Sequence, residues 1–295
     1  MKARTLPAIL VLLFARLASA QYNAAAGTNA PTETKTVEER GRDGTVVQRK
    51  VQVKAQADRY GNAAGNQNDL AVDGAFTGQT VAVIQLYAFD LEATRAALAE
   101  KGYSVYRWSG RPPEADELER ALARSSQLWI ISGDQPLLSK KHLAIIKKFF
   151  DAGHGVYIWG DNDPYYADAN AVAEALFGAR MLGDVRGDQV VGLMKTPGKH
   201  GLLPRHLLTT GIEFLYEGIT IATIQPNQAL APLLYGSADN LVSAIYDHDG
   251  KRAVLDGGFT RLYNKWDTAG TARYVKNAAA WLSNVERFPV KTASR

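Results

Sequence analysis

The chain has 295 residues, of which 46% are hydrophobic and 22% are charged, and it contains no cysteine. Without cysteine there are no disulfides, no thiolate nucleophiles and no cysteine-bound metals, so the hydrophobic core alone must stabilise the fold. Subtracting the three positive charges Lys2, Arg4 and Arg16 from the formal net charge of +4 leaves +1 for the remainder. A nearly neutral chain without a basic stripe is not expected to bind nucleic acid.

The first 20 residues predict a signal peptide that is cleaved after Ala20. A positive start precedes a short apolar run over residues 6–15, and residues 18–20 follow the small-x-small pattern that signal peptidase recognises. The apolar run is shorter than the roughly 20 residues that span a bilayer, and a lipid anchor would require a cysteine. We therefore expect a periplasmic or secreted protein with no membrane span after cleavage.

Residues 21–78 are rich in Thr, Ala, Asn, Gln and Gly. Residues 62–68 offer almost no apolar surface, so conformational entropy is expected to keep this region a flexible leader. Within it, residues 45–54 alternate apolar and polar side chains and predict a strand if a sheet edge is available. One α/β domain over residues 79–286 and a short tail over residues 287–295 are expected to follow.

From residue 79 onwards, strand patterns alternate with helix patterns. A continuous apolar run at residues 80–86 is typical of a strand covered on both faces, and a helical pattern over residues 91–101 ends at Gly102. Three more strand and helix pairs follow, at 105–108 with 114–124, at 128–132 with 140–152, and at 156–159 with 170–177. This order predicts an α/β fold, a flavodoxin-like three-layer sandwich with a mainly parallel sheet and helices on both faces.

The second half of the chain is predicted to be rich in β-structure. Short apolar runs separated by turn-forming residues occur at 190–194, 219–224, 230–235, 242–246 and 253–255. Asp249-Gly250 is typical of a hairpin tip, and residues 271–284 predict a final helix with one apolar face.

Candidate site residues follow from the rule that this class of fold binds ligands beyond the carboxyl ends of its parallel strands. The side chains at those positions are Asp90, Asp134, Gln135, Asp161, Asp163, Tyr165, Tyr166 and Asp256. We expect the turns after separate parallel strands to converge and to form one acidic hollow lined by aromatic side chains. Crowded carboxylates raise one another's pKa, as acid–base chemistry requires, and aromatic faces beside polar groups suit sugars or other polar small molecules. Arg261 and Lys265, near the end of the last strand, would add anion recognition to such a site. Three alternatives stay open: Asp90 and Asp168 cap the starts of helices, the aromatic side chains cover the sheet edge, and Arg261 and Lys265 are ordinary surface charges.

Metal and nucleotide chemistry have little support in the sequence. The oxygen-rich residues 161–170 would suit Ca²⁺, but the helix-loop-helix calcium spacing puts Tyr165 and Tyr166 where an acidic or amide residue and a glycine are needed. No His-x-x-x-His pair indicates zinc, and neither Gly-x-Ser-x-Gly nor Gly-x-x-x-x-Gly-Lys occurs. We expect no metal and no cofactor, with Ca²⁺ as the open alternative.

Three segments, residues 128–139, 145–155 and 157–161, resemble the core of class I glutamine amidotransferase-like domains, in particular the non-amidotransferase, trehalose-utilisation-type branch. The stretch that starts at His206 is similar to the His-Pro-Ile-Thr-x-Gly sequence of that branch, and Glu217 is similar to its downstream acid. The resemblance implies the fold and makes His206 and Glu217 candidate site residues.

One departure from the family limits what the resemblance implies. Amidotransferases carry a nucleophilic Cys on the turn where this chain has Asp161-Asn162, so thioester chemistry on glutamine is impossible here. One hypothesis is a binding or interaction module for a polar small molecule or an extracytoplasmic protein. The alternative is a hydrolase or lyase in which Asp161 or Asp163 works with His206 as an acid–base pair, which requires the two groups within hydrogen-bond reach of one pocket.

Overall fold

The computed structural model describes residues 22–288, so the predicted signal peptide and the end of the predicted tail lie outside the described residues. The helices are α1 (Glu92–Glu100), α2 (Ala115–Leu122), α3 (Lys140–Asp151), α4 (Ala167–Phe177) and α5 (Thr271–Leu282). The strands are β1 (Thr32–Arg40), β2 (Val46–Lys54), β3 (Thr80–Gln85), β4 (Ser104–Ser109), β5 (Gln127–Ile131), β6 (Gly155–Trp159), β7 (Met181–Arg186), β8 (Val190–Val191), β9 (Gly201–Leu202), β10 (Leu215–Tyr216), β11 (Thr220–Ile224), β12 (Ala231–Tyr235), β13 (Leu241–His248) and β14 (Lys251–Asp256). Over the described part of the chain, none of these helices is both long and apolar enough to traverse a bilayer.

The central sheet has eight strands in the order β4-β3-β5-β6-β14-β13-β12-β9. Neighbouring strands from β4 to β14 run parallel, and β13, β12 and β9 continue the sheet in antiparallel fashion. The order β4-β3-β5-β6 is the flavodoxin-like arrangement, in which the chain changes its direction of travel between β3 and β5. The predicted α/β fold with a mainly parallel sheet is confirmed.

Helices cover both faces of this sheet. Side chains such as Val83, Leu98 and Tyr274 form one core between the sheet and α1 with α5, while Ile84 and Leu118 belong to the core beneath α2, α3 and α4. Adjacent strand residues point to opposite faces, which is why β3, β5 and β6, which are covered on both faces, are buried along almost their whole length. The three-layer sandwich predicted from the alternating strands and helices is therefore present.

The β-rich second half is also confirmed, with some changes in detail. The β13–β14 hairpin turns at Asp249 and Gly250, whose φ angles of 54° and 65° suit the tight turn predicted there. The run at residues 190–194 forms only the short strand β8, which pairs with β10, while β7 pairs with β11. These two small sheets lie outside the central one.

Helix α4 begins at Ala167, three residues before the predicted start. Asp168 therefore lies in its first turn and does not precede it. Its Oδ1 accepts hydrogen bonds from the backbone N–H groups of Leu137 and Leu138, at 2.9 and 2.7 Å. The predicted N-cap role of Asp168 is wrong, because its carboxylate holds the loop before α3 instead of the end of its own helix.

The structure corrects the expected flexible leader over residues 21–78. Its predicted strand finds a partner in β1, so β1 and β2 form a hairpin. Beyond that hairpin the chain is packed: Leu70 and Phe76 have no exposed surface and belong to the core beneath α5. Asn62 Oδ1 accepts hydrogen bonds from the backbone N–H groups of Glu213 and Phe214, at 2.7 and 2.8 Å. Composition misleads here because the polar side chains satisfy distant backbone groups, which lowers the cost of ordering the segment.

Candidate functional site

The turns after β3, β6 and β14 meet at the carboxyl edge of the sheet. They bring together five aromatic side chains, here called the aromatic cluster: Tyr87, Phe89, Tyr165, Phe259 and Tyr263. The ring centroids of Phe89 and Tyr263 lie 4.4 Å apart, those of Tyr87 and Tyr165 lie 5.0 Å apart, and those of Tyr87 and Phe259 lie 5.4 Å apart. These separations are typical of favourable aromatic pairs. The predicted convergence of turns from separate strands is thus present at this edge.

The cluster has a buried base and an exposed rim. Phe259 is 1% exposed, whereas Tyr263 is 36% exposed, and Tyr87, Phe89 and Tyr165 are half-buried. The rings occupy much of the space in which an open hollow was expected. What this edge offers a partner is therefore a partly exposed aromatic surface.

Asp161 lies next to this cluster, directly after β6. It is 1% exposed, and its two carboxylate oxygens accept hydrogen bonds from the backbone N–H groups of Thr260, at 2.7 Å, and of Asn162, at 2.9 Å. The preceding Gly160 packs closely against Met181, because a Cβ there would lie 2.5 Å from Met181 Sδ. Asp161 therefore fastens the turn after β14 to the turn after β6.

Burial raises the pKa of Asp161 to about 7, although the hydrogen bonds from Asn162 and Thr260 and the charge of Arg261 act in the opposite direction. Desolvation outweighs them because the charged carboxylate loses nearly all of its water. This side chain consequently exchanges its proton close to neutral pH.

Beside Asp161, Arg261 and Asp256 form a buried ion pair under the turn that follows β14. Arg261 is fully buried, and its Nη2 donates hydrogen bonds to Asp256 Oδ1 and to the backbone oxygen of Glu217, both at 2.9 Å. Its Nε donates to the backbone oxygen of Gly258 at 3.1 Å, and Tyr274 donates its hydroxyl to Asp256 Oδ2 at 3.1 Å. The interpretation of Arg261 as a surface charge is therefore wrong, whereas Lys265 is exposed and pairs with Asp188.

Two donors in this buried region have no hydrogen-bond acceptor among residues 22–288. They are Arg261 Nη1 and Trp159 Nε1, and the Arg261 guanidinium carbon lies 5.8 Å from the Trp159 ring centroid. A buried donor without an acceptor costs about 1–3 kcal/mol. Across the described ranges, no group of three or more His, Cys, Asp or Glu side chains is arranged to hold a metal ion.

The other predicted residues at this edge do not join the cluster. Asp134 and Gln135 are exposed. Asp90 is also exposed, and its Oδ1 accepts a hydrogen bond from the Glu92 backbone N–H at 2.9 Å. This bond supports the start of α1, which agrees with the alternative interpretation of Asp90. These carboxylates lie in solvent, so the single acidic crevice expected from the sequence is reduced to its buried members.

Asp163 and Tyr166 form a separate pair. The Tyr166 hydroxyl donates a hydrogen bond to Asp163 Oδ1 at 3.0 Å, and Asp163 is exposed. Tyr166 packs against the core on the α4 side of the sheet, whereas its neighbour Tyr165 packs on the opposite side with the cluster. Only Tyr165 of the two predicted tyrosines therefore contributes to the aromatic surface.

His206 does not lie at this edge. Its ring contacts Trp281 near the end of α5, at 5.6 Å between centroids, and the charges that act on it are those of Asp247 and Arg252. Arg252 lies near the start of β14. Asp161 lies near the end of the same strand, because the backbone N–H of the adjacent Gly160 donates to the backbone oxygen of Asp256 at 2.8 Å. Four strand residues at roughly 3.3 Å each separate the two ends, about 13 Å. The predicted acid–base pair of His206 with Asp161 or Asp163 is therefore not formed.

Glu217 is fully buried, and its side chain connects loops. Its Oε1 accepts a hydrogen bond from the Gln189 backbone N–H at 3.2 Å, its Oε2 accepts one from the Ser237 backbone N–H at 2.6 Å, and the Ser237 hydroxyl donates to Oε1 at 2.7 Å. Glu217 touches the site only through its backbone oxygen, which accepts from Arg261. The side chain therefore has a positioning role and does not face the cluster.

Sequence reasoning did not select Phe259 and Tyr263 as site residues. Both follow β14 closely, so the rule on carboxyl ends of strands pointed to their turn. Nothing in the local pattern indicated that the short helical turn from Phe259 to Leu262 folds back and places Tyr263 against Phe89.

The sequence of the chain matches no protein family model and no characterised protein. A protein described as ThuA-like from Bacteroides uniformis is 10% identical, with a TM-score of 0.45 over 69% of this chain and 90% of that chain. A second protein described as ThuA-like, from Parabacteroides merdae, is 10% identical, with a TM-score of 0.44 over 70% and 90% of the two chains.

A protein from Thermoplasma acidophilum, described as a GMP synthase subunit, is 11% identical, with a TM-score of 0.41 over 70% of this chain and 94% of that chain. A likeness of this degree assigns neither a family nor an activity to this chain.

Proposed function

We propose that this chain is a binding module for a polar small molecule, such as a sugar, that stacks one ring face on the aromatic cluster. The observation that carries the proposal is the convergence of rings from three separate turns at the edge where this class of fold binds ligands. A sugar ring presents C–H groups on one face and hydroxyls around its rim, and such a molecule matches an aromatic surface bordered by polar groups.

Polar groups suited to that task border the cluster. Burial, together with the neighbouring Tyr87 and Asp161, raises the pKa of Tyr263, so its hydroxyl stays protonated and can donate a hydrogen bond. Asp161 is 1% exposed and both of its carboxylate oxygens accept backbone hydrogen bonds, so it supports the turn beneath the cluster. A ligand hydroxyl can therefore accept a hydrogen bond from Tyr263.

The absence of cysteine supports binding over amidotransfer, since the thiol nucleophile of that chemistry is missing. The distance between His206 and Asp161 removes the acid–base pair on which the hydrolase or lyase hypothesis depended. We further propose that the module works outside the cytoplasm, on the basis of the signal-like first 20 residues.

The test uses the protein from residue 21 onwards and a panel of common monosaccharides and disaccharides, with binding followed by saturation-transfer NMR and calorimetry. We expect at least one sugar to bind, and Tyr263→Ala to weaken its binding by about 2-fold to 10-fold, the loss typical of one aromatic contact.

The matched control is Tyr106→Ala, which removes an exposed tyrosine in the middle of β4, away from the carboxyl edge. Affinity should be unchanged in this variant. If no sugar in the panel binds, or if both variants weaken binding equally, the proposed site is wrong.

A further inference from the structure

The β1–β2 hairpin stands apart from the packed body of the protein. Its two nine-residue strands pair from Thr32 with Lys54 to Arg40 with Val46, and they form a sheet of their own. Nearly every residue in it is exposed. A lone two-stranded hairpin is at best marginally stable in water, so a hairpin of this length is expected to gain a partner.

One face of the hairpin carries most of its valines, together with the charged residues Glu33, Lys35, Glu39 and Arg49. The register places Lys35 opposite Val51, Val37 opposite Arg49 and Glu39 opposite Val47. Directly opposed residues share a face, so odd-numbered residues of both strands line one side, and Val37, Val47, Val51 and Val53 all belong to it. The even-numbered side is mostly Thr, Gln and charged residues. A partner strand that continues the hairpin would therefore extend a valine face.

The two free edges differ in charge. β2 carries Arg49, Lys50 and Lys54 and no acidic residue, so two copies of this edge would repel each other. β1 carries both signs, with Glu33, Lys35, Glu38, Glu39 and Arg40. When two copies of the same edge pair, only β1 can place opposite charges beside one another.

We propose that two copies of this chain associate by antiparallel pairing of β1 with β1, with a two-fold axis through Val37. In this register Lys35 lies opposite Glu39 of the second copy, Thr34 lies opposite Arg40, and Thr36 lies opposite Glu38. Each unlike pair occurs twice by symmetry, and no like charges oppose one another. Odd-numbered residues remain on one side, so the two valine faces join into one.

The pairing closes on itself and changes the stability of the hairpin. A two-fold interface uses the same patch on both copies and leaves no further β1 edge to recruit a third copy. Four strands in the order β2-β1-β1-β2 form a sheet large enough to be stable without packing against a further element. Because the strands run antiparallel, the tip of each hairpin lies beside the base of the other, and the two bodies lie at opposite ends.

The register is tested by a single cysteine, since the chain has none of its own. In Val37→Cys the two new thiols face each other across the axis, at a cross-strand Cβ separation of roughly 4.5–5.5 Å, which a small adjustment brings to disulfide geometry. We expect a disulfide-linked dimer under mild oxidation. Val47→Cys, on the same face but on β2, should stay monomeric on a non-reducing gel. Absence of the Val37→Cys dimer would overturn the proposal.

Charge exchange provides the second test, with analytical ultracentrifugation of the protein from residue 21 onwards. Lys35→Glu should weaken the dimer at least tenfold, and the double change Lys35→Glu with Glu39→Lys should restore it. Lys50→Glu, on the other strand, should leave dimerisation intact. The proposal fails if the unmodified protein is monomeric at all concentrations, if Lys50→Glu is the more disruptive change, or if the double change does not restore the dimer. Unchanged thermal melting verifies that each variant folds, as expected for exposed positions.

Discussion

At the scale of single residues, the buried Asp161 and the half-buried His206 have pKa values that burial moves in opposite directions. Burial raises the pKa of Asp161 from 3.8 to about 7 and lowers the pKa of His206 from 6.5 to about 4. Between about pH 4 and pH 7, folded Asp161 retains a proton that the unfolded chain has released, so stability falls as pH rises. Between about pH 4 and pH 6.5, folded His206 lacks a proton that the unfolded chain binds, so stability rises with pH.

Each group contributes up to about 1.4 kcal/mol of unfolding free energy per pH unit, with opposite sign, so the two cancel over much of this interval. We predict that Asp161→Asn makes stability rise with pH from 4.5 to 6.5 relative to the unmodified protein. His206→Asn, which keeps an acceptor for the Leu208 backbone N–H, should make stability fall over the same interval. Urea unfolding at several pH values measures both slopes. Equal slopes in the two variants would contradict the burial of one group or the other.

The burial of Arg261 could not be predicted from its neighbours in the sequence. Thr260 precedes it and the exposed Tyr263 and Lys265 follow it, as in a surface loop, yet Arg261 is fully buried. Its burial depends on Asp256, which pairs with it only because the chain folds back after β14. No sequence pattern gives that reversal, whereas the helix-supporting role of Asp90 followed directly from its position.

At the scale of elements, Asp69 ties the N-terminal segment to two helices. Its oxygens lie 2.8 Å from Lys101 Nζ, just after α1, 2.8 Å from Lys276 Nζ and 2.6 Å from Arg273 Nε, both in α5. Burial by itself would raise the pKa of Asp69, but the three cations outweigh it and hold that pKa below its usual value. The segment that precedes β3 is thereby part of the folded body.

We predict that Asp69→Asn lowers the free energy of unfolding by about 3–5 kcal/mol, because it leaves buried cations without their counter-charge. The control is Asp73→Asn, which also removes a partner of Lys101 but at a side chain that is 54% exposed, and a loss below about 1 kcal/mol is expected. Urea denaturation at neutral pH measures both. Similar losses in the two variants would show that the buried cluster is not what secures this segment.

Elements with a strong periodic pattern were predicted within a few residues, and elements that depend on partners were not. The strand at residues 80–86 and the helix at residues 140–152 appear as β3 and α3 with nearly the same bounds. The strand at residues 45–54 was predicted, but its partner β1 has mostly polar and charged residues and gave no signal. Apolar periodicity arises where one face of an element is buried, so a strand that is exposed on both faces does not show it.

At the scale of the whole molecule, export remains a prediction that rests on the first 20 residues. We predict that the protein expressed in an exporting bacterial host is recovered outside the cytoplasm with Gln21 as its first residue, which mass spectrometry of the intact protein establishes. Leu12→Arg, which interrupts the apolar run, should keep the full-length chain in the cytoplasm. Recovery of uncleaved protein in both cases would contradict the predicted signal peptide.

The fold class could be predicted from the order of the amino acids, since alternating strands and helices with continuous apolar runs are compatible with few arrangements other than a parallel sheet between helical layers. The sequence also excluded thiol chemistry, because composition alone decides that question. Which turns meet depended on the folding of the whole chain. Folding placed His206 at the opposite end of β14 from Asp161, buried Arg261 and packed Leu70 and Phe76 into the core, because each of these depends on contacts between residues far apart in the chain.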